Sequence, residues 1–490
     1  MTQTGVVDAA LAALREGEEE RGLALLAPVL AANDRDARAW QVKALLHRAL
    51  DDLVPAVAAF DRAAALAPGD ARIALGRAQA AAEAGLPAVA LFDRAAALAP
   101  GDAGVIVARA AAQLAAGRGG QALAEVDRLL ETQPGWMQGH WLAARLRHVL
   151  GDADRYTLSL DRALARFPAE RALWHQLIFT LTHARDHAAA LAAIARARRA
   201  AGDDTLFDLN EAAALSELGQ QEEASRAFAA LPPPADTPTA VLHLRHLLRV
   251  RRPSEAAALA ARFVGAADGQ LVRPYQAVAW RQSNDPQWAW LEGDDRLVGV
   301  YDLGDALPPL DALAARLRSL HVAAGTPLEQ SVRRGSQTDG PLFSRIEPEI
   351  RALRAAVVKA VARHIAQLPP PDPRHPTLAP RRNRRTRFAG AWSVRLLAEG
   401  YHAQHVHPQG WFSSALYVSL PDEQARGPAP AGWLALGEPD AALGLDLPPV
   451  RMIEPKPGRL VLFPSTMWHG TMPFAEGERL TVAFDVAPPR

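Results

Sequence analysis

Cysteine is absent from all 490 residues. That excludes disulfides, thiolate zinc sites and cysteine nucleophiles. Lysine is nearly absent: it occurs only at Lys43, Lys359 and Lys456, and the rest of the 54 cations are arginine. With the abundant alanine, this reflects a compositional bias more than a function. Neither sign of charge is in excess, because 54 acidic residues bring the formal net charge to zero. No global field therefore draws the chain to nucleic acid or to a membrane surface. No apolar run approaches the ~18–20 residues of a membrane span. The opening MTQTGVVDAALAALREGEEE lacks a basic segment followed by a long apolar one, so it does not read as a signal peptide. The expectation is a cytoplasmic protein with no nucleic-acid or membrane partner. What is present is a hydrophobic fraction of 49% and a charged fraction of 22%, the balance of a folded, soluble chain. Its length exceeds one core, so two or more domains are expected.

The first half repeats itself. FDRAAALAPGD stands at 60–70 and again at 92–102, and Pro68, Pro100, Pro134 and Pro168 follow at intervals of 32, 34 and 34 residues. Each block holds two Ala-rich helical segments punctuated by Gly, Asp or Pro. In block 37–70, Trp40, Ala56, Phe60, Ala63 and Pro68 occupy the signature positions of the tetratricopeptide repeat, which this half resembles. Block 171–204 keeps Trp174 and Ala190, and block 205–238 keeps Ala224 and Phe228. Small alanines let paired helices approach, the aromatic fills the gap, and stacked neighbours bury faces that one repeat leaves open. The reading is about seven repeats over 5–238, with 239–270 as an eighth or a capping pair. The resemblance implies a superhelix whose concave groove takes a protein or peptide partner. A spacer or dimerisation platform is the alternative, and no motif fixes the oligomeric state.

After residue 270 the Ala-rich period stops. Helical segments are predicted at 307–322 and 346–368, where Ile350, Leu353, Val357, Val361 and Ile365 line one face. VRRGSQTDGPLF, at 332–343, reads as a loop, LVGVYDL at 297–303 as a strand, and the Pro-rich 368–380 as irregular chain. From 386 the period becomes two, with candidate strands RFAGAWSVRLL, WFSSALYVSL, GWLALGE, GRLVLFP and RLTVAFDV, a pattern of sandwiches and barrels. The organisation read from this is a solenoid over 1–270, a linking region with supporting helices over 271–385, and a β core over 386–490. The C-terminal domain as a whole spans about 290–490.

HVHPQGWFSSALYVSLP, at 405–421, places two histidines just ahead of a strand. On a strand, residues i and i+2 share a face, so His405 and His407 can converge. His469 lies 62 residues beyond His407, and Arg479 ten residues further. Arg479, Thr481 and Asp485 share one face of their strand, and Leu480, Val482 and Phe484 the other. The structural alternatives are a surface histidine pair, and an Arg479 that pairs with Glu476 or Glu478. His402 reads as a bystander. Trp411 and Trp468 are pocket walls or plain core. RRNRRTR at 381–387 reads as a solvated loop leading into a strand in preference to a phosphate contact. Walker A, HExxH and GxSxG motifs are missing. A cupin would need a Glu soon after the histidine pair and a His closer to the PKPG turn than His469, which stands eleven residues past Gly458.

With these residues in view, 386–490 resembles the double-stranded β-helix (jelly-roll) core of the 2-oxoglutarate- and Fe(II)-dependent oxygenases, nearest their prolyl-hydroxylase-like bacterial branch. PGRLVLFPSTMWHGTMPFAEGERLTVAFDV matches the second half of that core, and AGWLALGEPD at 431–440 resembles the strand and loop between its halves. The resemblance implies a dioxygenase that binds iron through His405, His407 and His469. It implies that Arg479 and Thr481 hold the far carboxylate of 2-oxoglutarate, and that Tyr417 adds a hydrogen bond to the cosubstrate. The family usually has Asp or Glu where this chain has His407. Three imidazoles keep a facial tripod but remove one negative charge. The fold class implied is multidomain, an all-α tetratricopeptide superhelix followed by an α+β oxygenase domain. The function implied is a hydroxylase with protein or peptide recruitment by the repeats. Two alternatives stay open: a non-catalytic adaptor with a degenerate oxygenase fold, and a three-histidine dioxygenase that does not use 2-oxoglutarate.

Overall fold

The computed structural model describes residues 2–322, Gly325, Leu328 and 331–489. Met1 and Arg490, the outer ends of the ranges 1–270 and 386–490, lie outside the described residues. The first half is built of paired helices. They are α1 (Gln3–Glu16) with α2 (Glu19–Ala32), α3 (Ala37–Ala49) with α4 (Leu53–Leu66), α5 (Ala71–Glu83) with α6 (Val89–Leu98), and α7 (Ala103–Ala115) with α8 (Gly119–Thr132). Then come α9 (Met137–Val149) with α10 (Leu158–Arg166), α11 (Arg171–His183) with α12 (His187–Ala201), α13 (Thr205–Glu217) with α14 (Gln221–Ala230), and α15 (Thr237–Arg249) with α16 (Pro253–Ala261). Asp36, Asp70, Asp102 and Asp236 cap the first helix of their pairs by accepting from backbone N–H groups in the first turn. Pro68, Pro100, Pro134 and Pro168 each stand two residues beyond a second helix, where a chain without an N–H cannot continue it. Phe60, Ala56 and Ala63 are fully buried between neighbours. Gly76 of α5 faces the Phe60 ring so closely that a Cβ would sit 2.5 Å from it, which is why this crossing carries glycine.

Two further helices, α17 (Arg273–Gln282) and α18 (Gln287–Glu292), lead into the second half. There β1 (Gly299–Asp302), α19 (Leu310–Ser319), β2 (Val332–Gln337) and α20 (Pro348–Gln367) precede β3 (Phe388–His402) and β4 (Phe412–Ser419). A short α21 (Glu423–Arg426) follows, then β5 (Leu434–Leu436), β6 (Arg451–Ile453), β7 (Arg459–Pro464), β8 (His469–Thr471) and β9 (Arg479–Val486). Six strands form one antiparallel sheet in the order β1-β7-β4-β9-β3-β2, and three form a second in the order β6-β5-β8. This is the two-sheet jelly-roll plan. The segment 332–343 corrects the sequence reading: its first six residues are the edge strand β2, not a loop. The Pro-rich 368–380 contains no regular element.

Period two on β9 decides the layering. Leu480, Val482 and Phe484 pack with Leu416 and Leu460 of the sheet and with Leu313 and Leu317 of α19 and Leu353, Val357 and Val361 of α20. Arg479, Thr481 and Asp485 face the opposite side. The repeats do not stand apart from this core. Arg384 and Arg385 pair with Glu18 at 2.6 Å and Asp52 at 2.9 Å, and Arg387 with Glu19. Three arginines of the 381–387 run are thus tied to the first two repeats, which corrects the reading of a merely solvated loop. Among the described residues, no helix is long and apolar enough to cross a membrane.

Candidate metal centre

The local structure of the histidine segment differs from the strand inferred for it. β3 ends at His402, His405 makes an isolated antiparallel bridge to His469, and His407 lies in irregular chain. Convergence comes from cross-bonding. His405 N–H donates to the His469 carbonyl at 2.9 Å, His469 N–H returns a bond at 3.0 Å, and His407 N–H donates to the Ser465 carbonyl at 2.9 Å. The three imidazoles thereby bring ligand nitrogens within 4.8 Å of one another. His402 stacks on His405 at 5.8 Å but is outside this trio.

Hydrogen bonds fix the tautomers. Nδ1–H of His405 donates to the Ala403 carbonyl at 2.8 Å, and Nδ1–H of His469 to the Met467 carbonyl at 3.0 Å. Nδ1–H of His407 donates to Oδ2 of Asp485 at 2.7 Å. A carbonyl or carboxylate cannot donate, so in each ring Nδ1 carries a proton and Nε2 is the nitrogen left for a metal. Burial, reinforced by the neighbouring imidazoles, holds His405 and His469 well below the ordinary histidine range. They are therefore neutral at pH 7, the form that ligates metal. Trp392 stacks on His407 at 5.4 Å and Phe463 packs against His469 at 4.7 Å.

The trio opens on a cavity of about 430 Å³ that is also lined by Ser331, Gln337, Arg479, Thr481 and Asp485. Arg479 is buried, and burial lowers its pKa. It donates to the Gly432 carbonyl at 2.9 Å, lies 5.0 Å from the Tyr417 ring centre, and makes no ion pair among the described residues. Glu478 instead pairs with Arg318 and Arg395, so the salt-bridge alternative for Arg479 is not what the structure shows. Arg479 Nε and Tyr417 Oη are both buried without a hydrogen-bond partner among the described residues. The register sets Tyr417 opposite Thr481. Its ring lies under the guanidinium, within the core and not in the cavity wall. Trp411 belongs to the core, and Trp468 packs against the repeats; neither lines the cavity.

Three imidazoles beside a cavity fit a divalent transition metal with open positions. A buried guanidinium with no ion-pair partner among the described residues fits a carboxylate. Sequence reasoning put Asp485 on the correct face without giving it a role. Its partner His407 lies 78 residues away, and only the folded sheet joins them.

Residues 390–485, from β3 to β9, match the model of the family described as "Putative 2OG-Fe(II) oxygenase". The chain is a tetratricopeptide-repeat array fused to a domain of this oxygenase family. A Pseudomonas putida prolyl-4-hydroxylase structure is 17% identical, covering 39% of this chain and 92% of its own, with a TM-score of 0.26. A tetratricopeptide repeat protein from Parabacteroides merdae is 13% identical, covering 56% and 98%, with a TM-score of 0.33. YrrB, a TPR protein with an unusual peptide-binding site, is 17% identical, covering 35% and 89%, with a TM-score of 0.29. At these TM-scores the likenesses add nothing to the geometry of the oxygenase domain. No curated protein matches the chain.

Proposed function

We propose that this chain is an Fe(II)- and 2-oxoglutarate-dependent oxygenase that hydroxylates a C–H bond of a protein or peptide. The carrying observation is the convergence of His405, His407 and His469 on a cavity that is also lined by a buried Arg479 with no counter-charge among the described residues. In this reading the three Nε2 lone pairs hold the metal. Arg479 and the Thr481 hydroxyl hold the far carboxylate of the cosubstrate, supplying a charge-assisted bond in a water-poor site. Tyr417 acts from below by fixing the guanidinium, face to cation. Asp485 keeps a negative charge one hydrogen bond from the tripod, on the ring that stands where a carboxylate is usual. When bound, Fe(II) and 2-oxoglutarate supply oxidation by O₂, with the cosubstrate leaving as succinate and CO₂ and one oxygen atom entering the substrate. Trp392 and Phe463 shield the imidazoles from bulk water.

Recruitment by the repeats is supported by a second cavity of about 790 Å³ between the third to fifth helix pairs and the catalytic half. Gln337, at the end of β2, lines both cavities, and the apolar Leu86 and Val322 stand exposed in the larger one. An extended segment held there would lie against Gln337, which also lines the histidine cavity. The test is Fe(II)-dependent succinate formation from 2-oxoglutarate, comparing the wild type with His469→Ala and Arg479→Ala. Turnover by the wild type alone supports the reading. Equal turnover in all three sinks it.

A further inference from the structure

The elements that carry the histidines are slight. β8 has three residues, His405 sits in an isolated bridge, and His407 is in no strand. Ladders this short leave ligand positions loose, and a metal site needs its ligands held by packed, hydrogen-bonded supports. Those supports come from the end of the repeat array and from α17, which follows it. Trp468, the residue before His469, is 4% exposed and packs in one apolar cluster with Leu244 and Leu248 of α15, Ala256 and Ala260 of α16, and Tyr275 and Val278 of α17. Its Nε1–H donates to the Pro274 carbonyl at 3.2 Å, and its ring meets Tyr275 edge to face at 5.7 Å. Val406, between His405 and His407, packs against the same cluster.

Polar contacts grip the neighbouring loop from the same side. Gly437 N–H donates to the Trp468 carbonyl at 2.7 Å, and the Gly437 carbonyl accepts from Arg281 of α17. Arg249 of α15 donates to the Ala442 carbonyl at 2.9 Å, and Arg245 of α15 pairs with Asp440 at 3.3 Å. Gln404, the residue before His405, donates to Glu438 at 2.7 Å. Every ligand histidine therefore has a chain neighbour anchored to the repeats, directly or through this loop.

We infer that the end of the repeat array, with the helix α17 that follows it, is a working part of the metal centre, α15, α16 and α17 positioning the ligand-bearing segments through Trp468 and Val406. Trp468, Val406 and Tyr275 are positioning residues, and the array does more than recruit. This rests on the reading of the three histidines as metal ligands.

The test uses the full chain without oxygen and Co(II) as the probe, reading its dissociation constant and visible absorption bands beside the apo-protein Tm. Tyr275→Leu and Trp468→Phe are compared with Phe92→Leu, an equally buried aromatic in α6 far from the site in the chain. Expected are a loss of Co(II) affinity of about tenfold or more and altered bands for Tyr275→Leu and Trp468→Phe. Phe92→Leu should lower Tm and leave the dissociation constant within about twofold, well inside the tenfold range set for outer-shell partners. Unchanged affinity and bands in both positioning variants overturn the inference while leaving the metal reading intact. So does an affinity loss in Phe92→Leu that matches theirs. If Tyr275→Leu does not fold, Trp468→Phe, which keeps an aromatic in place, decides alone. Wild type that binds Co(II) no better than His469→Ala overturns the metal reading and the inference with it.

Discussion

Inside the repeat array, side chains that pair with one another lie within about one repeat. Arg77 pairs with Asp61, and Arg109 with both Asp93 and Glu125, each 16 residues away. In the oxygenase domain the contacts that matter span far more chain: His407 to Asp485 is 78 residues and Arg395 to Glu478 is 83. One half is a sum of local interfaces, which a change damages where it falls. The other gathers residues from distant parts of the chain on one point. One place where the two meet is Trp468, whose Nε1–H reaches back 194 residues to the Pro274 carbonyl.

The largest break in this contrast should come from a ligand. His469→Ala is expected to abolish metal-dependent succinate formation and to lower Fe(II) or Co(II) affinity by orders of magnitude, read by anaerobic titration, while far-UV circular dichroism of the helices stays unchanged. Arg479→Ala is expected to raise the KM for 2-oxoglutarate by tenfold or more with metal affinity nearly intact, because a charge-assisted pair contributes about 1.5–3 kcal/mol. If metal affinity fell as far as cosubstrate affinity, the division of labour between tripod and guanidinium would be wrong.

Asp485→Asn tests the long-range half more finely. Asn keeps the shape and an acceptor oxygen but removes the charge that faces His407 Nδ1–H. Outer-shell partners of this kind are worth about 10–100-fold in metal affinity. A dissociation constant within twofold of the wild type would reduce Asp485 to a structural acceptor. The local half is probed by Phe60→Ala, fully buried in α4. It should cost about 3–5 kcal/mol of stability in the N-terminal repeats without moving Co(II) affinity. Hydrogen exchange would place the loss, and a loss spread evenly over both halves would contradict repeat-by-repeat stability.

What was legible in the sequence follows the same divide. The helix pairs could be read because spacing near 34, Asp caps and terminal prolines are local signals. β3, β4, β7 and β9 were visible in their period of two. β2 was not: Arg333 and Arg334 interrupt the apolar alternation, the pairing with β3 slips between Arg333 and Gly335, and Arg334 has a φ of 54°. β6 and β8, at three residues each, are too short to show a period. The histidine trio and Arg479 were recognisable by spacing, although the strand assumed beneath His407 is absent. Trp468 was ambiguous because nothing near it in the chain names its partner. Asp485 was placed on a face without a role for the same reason.

The smallest expected effect lies at the joint. Glu292, in α18 between the two halves, is buried, and burial pushes its carboxyl from the ordinary 4.5 up to about 7. The Trp288 indole N–H and the Arg281 charge oppose that shift only in part. Between those two values the folded protein keeps a proton that the unfolded chain releases. The contribution of this group to stability is therefore full below pH 4.5 and is lost as pH rises through about 7. Buried histidines such as His246, held at about 4 by burial, titrate with the opposite sign at lower pH and are common to any pair of variants. Glu292→Gln removes the carboxyl and keeps the shape. The difference in Tm between Glu292→Gln and wild type should then move in favour of the variant from pH 5 to pH 8. A constant difference over that range would mean that the joint holds its carboxylate ionised, and that the two halves are packed less tightly there than at Trp468.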